Sequence, residues 1–238
     1  MMKMSEKKTD AEKQIEERKV VLPGEEIISS MDYLPGRNCF RESNSIYSKK
    51  LGIIHLLNRV ISVIPLSGAY VANPGDMVIG EVTDIQSNGW VLDIKSTHDA
   101  YLPLSGVRRF IDTKKTNLSS VYGVGDMLYA KISDNNGDSI HLSMQDVRCR
   151  KFTGGRVFRI SPAKVPRVIG KEGSMINMIK NSTCSRINVG QNGIIWIEGG
   201  EEEKAISVFR LIEDEAQTNG LTDKVSKMLE SAKGAKKP

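Results

Sequence analysis

Cysteine is scarce in this chain: Cys39, Cys149 and Cys184 are the only three in 238 residues. They lie far apart, no two have metal-ligand spacing, and their odd number argues against a disulfide framework. They read as reduced thiols in a cytoplasmic protein. Aromatic residues make up only 5%, too few for a broad base-stacking surface. Long apolar runs are missing as well. The best stretch, residues 53–66, is broken by His55, Asn58, Arg59 and Pro65 and is too short to span a bilayer. The first nineteen residues are charged rather than apolar, so nothing there resembles a secretory signal.

Recognisable catalytic machinery is also lacking. The three histidines, His55, His98 and His141, are isolated from any plausible Cys or Ser nucleophile in sequence. No P-loop or dinucleotide-binding fingerprint occurs in context. Asp93, Asp126 and Asp134 fall near strand ends and turns, where aspartate serves local hydrogen bonding. The expectation is a protein without catalytic residues, metal or cofactor.

What the chain does have is unevenly placed charge. The formal net charge is +5. Residues 148–186 hold ten basic side chains against the single acid Glu172, an excess of nine, which leaves −4 for the rest. Immediately afterwards, residues 198–215 carry seven acids and two bases. Such asymmetry makes one face attractive to phosphate and another repellent.

Hydrophobic patterning predicts a multidomain α+β protein. Residues 1–19 read as a charged, frayed tail. Residues 20–71 read as a small β domain, with strands at 45–49, 52–57 and 60–64 and turns at Pro23-Gly24 and Pro35-Gly36. Residues 72–147 give five short strands, at 77–85, 90–94, 100–104, 127–133 and 139–143, with one long connection. That pattern fits a Greek-key oligonucleotide-binding (OB) β-barrel. Residues 148–220 change to the order β-α-α-β-β-α, with strands at 156–160, 186–189 and 194–198 and a final helix over 201–217. The hairpin Gln191-Asn192-Gly193 has the Asn-Gly signature of a type I′ turn. Residues 221–238 read as a basic C-terminal tail.

The sharpest motif is Gly170-Lys171-Glu172-Gly173, placed between two short helices. Glycine at each end allows close approach to a nucleic-acid backbone. Ser174 is expected to cap the following helix, whose free N–H groups suit phosphate. Lys171 and Arg167 add mobile cations, and Glu172 works against them. With the lead-in Val165-Pro166-Arg167-Val168-Ile169, residues 155–217 resemble a type I KH domain. The resemblance implies that Arg167, Gly170, Lys171, Gly173 and Ser174 clamp about four nucleotides of RNA. A second match, residues 190–193, reads as a plain hairpin turn; chance alone gives roughly two such spacings in a glycine-rich chain.

Residues 73–147 resemble an S1 domain of the OB class. The resemblance rests on Pro74-Gly75-Asp76, Gly80-Glu81-Val82-Thr83-Asp84-Ile85, Gly89-Trp90-Val91-Leu92-Asp93-Ile94 and Ile140-His141-Leu142-Ser143. This copy departs from the family at Asn88 and Val91, where S1 domains carry aromatics, at Pro103, where they carry histidine, and near Ser139, where arginine is frequent. RNA is therefore expected to be held through charge, by Arg108, Arg109, Lys114 and Lys115 of the long connection. Trp90 is expected in the core or at an interface rather than as a base platform.

The order β domain, S1, KH, together with Ile61-Ser62-Val63-Ile64-Pro65-Leu66-Ser67-Gly68-Ala69-Tyr70, is similar to the S1–KH cap subunits of the archaeal RNA exosome over residues 20–217. That resemblance implies a non-catalytic RNA-binding subunit that sits as a trimer on a hexameric ring of ribonuclease-PH-like subunits. The cap also accommodates a sister protein with a zinc ribbon, whose paired cysteines this chain lacks. The β domain would dock on the ring and the S1 domains would surround the pore. RNA would pass 3′ end first to phosphorolytic sites on the ring, with no membrane and no cofactor involved. The competing reading is an S1–KH factor of transcription or translation; its usual second KH unit is missing here.

Overall fold

The computed structural model describes residues 19–108, 111, 116–216 and 220–231. Two compact units divide after Gly68. The first is all β. Strands β1 (Val20–Val21), β2 (Glu26–Ser29), β3 (Leu34–Pro35), β4 (Cys39–Glu42), β5 (Ser45–Ser48), β6 (Gly52–Leu57) and β7 (Val60–Pro65) make two sheets. One runs β1-β6-β7-β3 and the other β2-β5-β4. In β7, Ile61 and Val63 are buried and the residues between them are not, as period-two alternation requires. They join Val21, Ile28, Tyr33, Cys39, Ile46 and Ile54 in a small core. Leu22, Met31, Leu34, Leu57 and Ile64 stay at least half exposed. β1 to β4, of two to four residues each, are additional to the strands expected from the sequence.

The second unit begins with the expected barrel. β8 (Met77–Gln86), β9 (Gly89–Asp93), β10 (Ala100–Pro103), β11 (Met127–Asn135) and β12 (Ile140–Ser143) close through β12–β11 pairing, in the order β12-β10-β9-β8-β11. β10 and β12 run parallel and the other neighbours antiparallel, the five-stranded OB arrangement. A short extra strand, β13 (Arg150–Lys151), continues the sheet beside β11. Trp90 is fully buried, as expected. Its indole N–H donates to the Tyr122 carbonyl at 2.9 Å, and the two rings meet edge to face at 5.1 Å. The end of the long connection is thereby pinned to the barrel core.

The KH region follows in the expected order: β14 (Arg156–Arg159), α1 (Val165–Ile169), α2 (Ser174–Thr183), β15 (Arg186–Val189), β16 (Ile194–Glu198) and α3 (Glu202–Asp214). Its sheet is antiparallel, ordered β14-β16-β15, as in type I KH domains. α3 buries Ala205, Val208, Phe209 and Ile212, one helical stripe. Two expectations are corrected. The chain beyond residue 220, read as a tail, forms helix α4 (Leu221–Ser231). Leu221, Val225 and Leu229 recur every four residues and are buried with Val168, Ile179 and Ile197. Ser174 does not cap α2; it is the first helical residue, Gly173 precedes it with φ +79°, and no side-chain cap bond forms.

Barrel and KH region are joined. β9 pairs with β8 only from Glu81 onward, which leaves the start of β8 without a strand on that side. The β15–β16 turn fills the gap. Gln191 N–H donates to the Met77 carbonyl at 2.8 Å, and the buried Asn192 carboxamide donates to Ile79 O at 2.7 Å and Ile94 O at 2.8 Å. Ile79 N–H donates back to Asn192 Oδ1 at 3.3 Å. Buried backbone groups require such partners. A Cβ on Gly190 would lie 2.9 Å from Ile79 N, so this close approach needs glycine. Phe152 stacks on Trp196 at 4.2 Å between the two regions. The second glycine pair, read as a plain turn, is therefore a turn that docks on the barrel.

Candidate nucleic-acid interface

The Gly170–Gly173 loop is a tight turn between α1 and α2, with Glu172 outside helical backbone geometry. Gly170 has φ +73°, and a Cβ there would meet Met175 Cβ at 2.7 Å and Met175 N at 2.8 Å. Its bare backbone is thus obligatory. Glu172 also has positive φ, +53°, a conformation that costs a side-chain-bearing residue about 1–2 kcal/mol. Arg167, Lys171, Glu172 and Ser174 are all exposed around the loop. The structure therefore brings together the five KH-loop residues singled out from sequence.

The barrel-side candidates fare differently. Arg109, Lys114 and Lys115 lie outside the described residues. Arg108 is exposed, but its guanidinium is engaged: Nε donates to Met144 O at 3.1 Å and Nη2 to Asp146 O. It ties the start of the long connection to the segment that leaves the barrel. Asp146 in turn receives Arg148 Nε and Nη2, each at 3.0 Å, and the Arg148 backbone N–H at 3.0 Å. The Arg148 side chain and backbone hold the Asp146 carboxyl well below the usual carboxylate range.

Sequence reasoning missed two features. On the outer barrel surface, the partly exposed Tyr101 and His141 meet edge to face at 6.1 Å, from β10 and β12. Tyr101 also stands opposite Val91, so an aromatic side chain adjoins the position where S1 domains carry their own. The second feature is a cleft of about 440 Å³ between KH and barrel. Ile169, Ile176 and Ile187 line its KH side, with Lys180 of α2; Tyr129 and residues 147–150 line the barrel side. Arg150 donates to Asn188 Oδ1 and lies over the Phe152 and Trp196 rings at 5.6 and 6.0 Å. Burial, and then Arg150, push the Lys180 ammonium below the usual lysine range.

Comparison with known proteins agrees with this geometry. A family model described as "RRP4, S1 domain" matches residues 69–134, and a KH domain model matches residues 156–214. The exosome complex component Rrp4 of Methanothermus fervidus is 40% identical over 218 residues, covering 90% of this chain and 96% of that protein. The Thermococcus kodakarensis protein of the same name is 39% identical over 222 residues, covering 90% and 86%. A crystal structure of a protein assigned as an exosome complex RNA-binding protein superposes with a TM-score of 0.64 at 32% identity, covering 71% of this chain and all of that one. Among the described residues, no helix is long and apolar enough to cross a membrane. With its closed S1 barrel and type I KH region joined in one unit, and this identity spanning nearly the whole of both sequences, the chain belongs to the Rrp4 family of exosome complex components.

Proposed function

We propose that the chain is a non-catalytic RNA-binding cap subunit of an exosome, which recruits RNA and guides its 3′ end to phosphorolytic sites on partner subunits. The observation that carries this reading is the fixed attachment of an exposed glycine–lysine loop to an S1 barrel, with basic side chains at the seam. Held in one body, the two RNA-binding surfaces keep a constant separation, so a strand bound at one is delivered at a set position relative to the other. Arg167, Lys171, Gly170, Gly173 and Ser174 contact the RNA backbone at the KH loop. Arg109, Lys114 and Lys115 supply phosphate contacts from the barrel connection, with Arg108 anchoring its start.

The N-terminal β unit docks on the ring of ribonuclease-PH-like subunits. Its Leu22, Met31, Leu34, Leu57 and Ile64 are exposed apolar side chains that a protein partner would cover. Three copies form the cap, alone or mixed with the zinc-ribbon sister protein, in the cytoplasm. The test is a pull-down from native lysate, with and without ribonuclease, read by mass spectrometry. The expected result is stoichiometric, ribonuclease-resistant recovery of ribonuclease-PH-like subunits. Recovery of polymerase or ribosomal proteins instead would replace the exosome reading with a transcriptional or translational one.

A further inference from the structure

The N-terminal unit has two outer sheet faces of opposite character. On the β1-β6-β7-β3 sheet, cross-strand pairing lines up Val20, Ile53 and Ile64 in one outward row and Leu34, Val60 and Leu57 in another, with His55 and Ser62 between them. That face is apolar, of the kind a folded partner covers. On the β2-β5-β4 sheet, Ile28, Cys39, Ile46 and Ser48 are buried. Period-two alternation therefore turns Glu26, Tyr47 and Phe40 outward in one row and Ser29, Ser45 and Glu42 outward in the next.

This second face is aromatic and acidic. Phe40 and Tyr47 are half-buried and stack at 5.6 Å with their ring planes 27° apart. Glu26 and Glu42 are exposed on either side of them, and neither is in an ion pair among the described residues. Glu26 accepts only the Ser45 hydroxyl, at 3.1 Å. The one base within these three strands, Arg41, is committed elsewhere, donating to the carbonyls of Ser30 and Tyr33. Lys49 lies beyond the end of β5. The faces of aromatic rings attract cations. Carboxylates without a counter-charge do the same and repel phosphate, so this surface suits a cationic chain and not RNA.

We propose that the outer face of the β2-β5-β4 sheet docks an extended, arginine-bearing segment of a partner protein, with one guanidinium on the Phe40–Tyr47 pair and another answering Glu26 or Glu42. The two glutamates stand on opposite outer strands, one row apart, which from strand spacing and rise separates their Cα atoms by about 12 Å. Basic residues four positions apart in an extended chain, at roughly 3.3–3.6 Å per residue, span that distance. The segment therefore crosses the sheet obliquely rather than adding a strand to its edge. The aromatic pair also fastens β4 to β5, and the test separates that role from docking.

The test uses the full chain and a short fluorescent Gly-Ser peptide carrying two arginines four positions apart, with anisotropy read at low salt. Glu26→Gln combined with Glu42→Gln is expected to weaken binding about five-fold, and Tyr47→Leu about three-fold. Tyr47→Phe keeps the ring and should bind as the parent does. The double glutamine variant leaves the core intact, so its result decides the matter even where Tyr47→Leu fails to fold. Glu203 and Asp214, exposed acids of α3, are the competing site. Loss of binding in Glu203→Gln combined with Asp214→Asn, with parental binding in the Glu26 and Glu42 variant, would overturn the proposal.

On the unaltered chain, the arginine side-chain protons of the bound peptide should move upfield in the NMR spectrum under the ring current of Phe40 and Tyr47. A bound peptide without that shift would overturn the aromatic contact. A parent chain that does not bind the peptide would overturn the docking face altogether.

Discussion

Asn192 and Ile79 exchange hydrogen bonds as two strand residues do, although one is a side chain from the KH hairpin and the other a backbone in the barrel. The carboxamide donates to Ile79 O at 2.7 Å and its oxygen receives Ile79 N–H at 3.3 Å. The side chain therefore completes a sheet edge that β9 leaves open, and it does so while 4% exposed. Burial of that edge is what converts two domains into one body. Asn192→Leu would leave Ile79 N–H, Ile79 O and Ile94 O without these partners. At about 1–3 kcal/mol for each unsatisfied buried group, destabilisation should reach the order of 3 kcal/mol. Urea denaturation of the full chain measures it. Gln191→Ala should move the midpoint little, within about 0.5 kcal/mol, because Gln191 bonds through its backbone.

The KH loop separates shape from charge. Gly170→Ala forces a Cβ to within 2.8 Å of Met175 N at φ +73°, so it should cost about 1–3 kcal/mol of stability and weaken RNA binding together. Lys171→Ala touches an exposed side chain. It should leave the denaturation midpoint in place and lower the salt slope of RNA binding by about 0.7. Paired midpoint and binding measurements would show whether the two effects part in this way.

Those contrasts mark what could be read in the sequence. The barrel strands and the β-α-α-β-β-α order were legible because their signals are local: period-two alternation, helical stripes and turns with fixed spacing. Gly170 and Gly173 were legible for the same reason. Asn192 was not, since its partners lie 98 and 113 residues away and Asn-Gly is also the ordinary signature of a turn. α4 was hidden because Asp223, Lys224 and Lys227 dominate the composition while three buried apolar residues do the packing. Lys180 counted only toward a basic total. That it shares a cleft with Arg150 depends on how the hairpin docks, which no local pattern encodes.

Arg108 was read as a phosphate contact, and its geometry gives it a holding task. Its fork donates to Met144 O and Asp146 O, fixing the segment that carries Arg148 and Arg150. Arg108→Ala should destabilise the chain by about 1 kcal/mol. Arg108→Lys should not recover that loss, because an ammonium lacks the planar fork. A residue acting only on phosphate would behave oppositely, with lysine restoring the salt slope that alanine removes. Denaturation midpoints and salt slopes of the two variants distinguish these roles.

Lys180 gives the interface a pH dependence on the alkaline side. Burial and Arg150 lower its pKa from the ordinary lysine value of 10.5. The groups facing it across the cleft are Arg148, Arg150, Tyr129 and Cys149. Burial pushes the last two up from their ordinary values. Below its folded pKa the ammonium is charged and attracts phosphate; as pH rises through that value the charge and its contribution disappear. RNA affinity should therefore begin to fall at a pH below the range where exposed lysines titrate. Bound phosphate favours the charged form, so RNA should shift the loss upward, and the decline should be shallower at saturating RNA. Lys180→Arg keeps a charge throughout and should flatten the profile without lowering affinity at neutral pH. Fluorescence anisotropy across neutral to alkaline buffers at constant ionic strength reads both profiles. Identical profiles for the parent and the arginine variant would remove Lys180 from the RNA path.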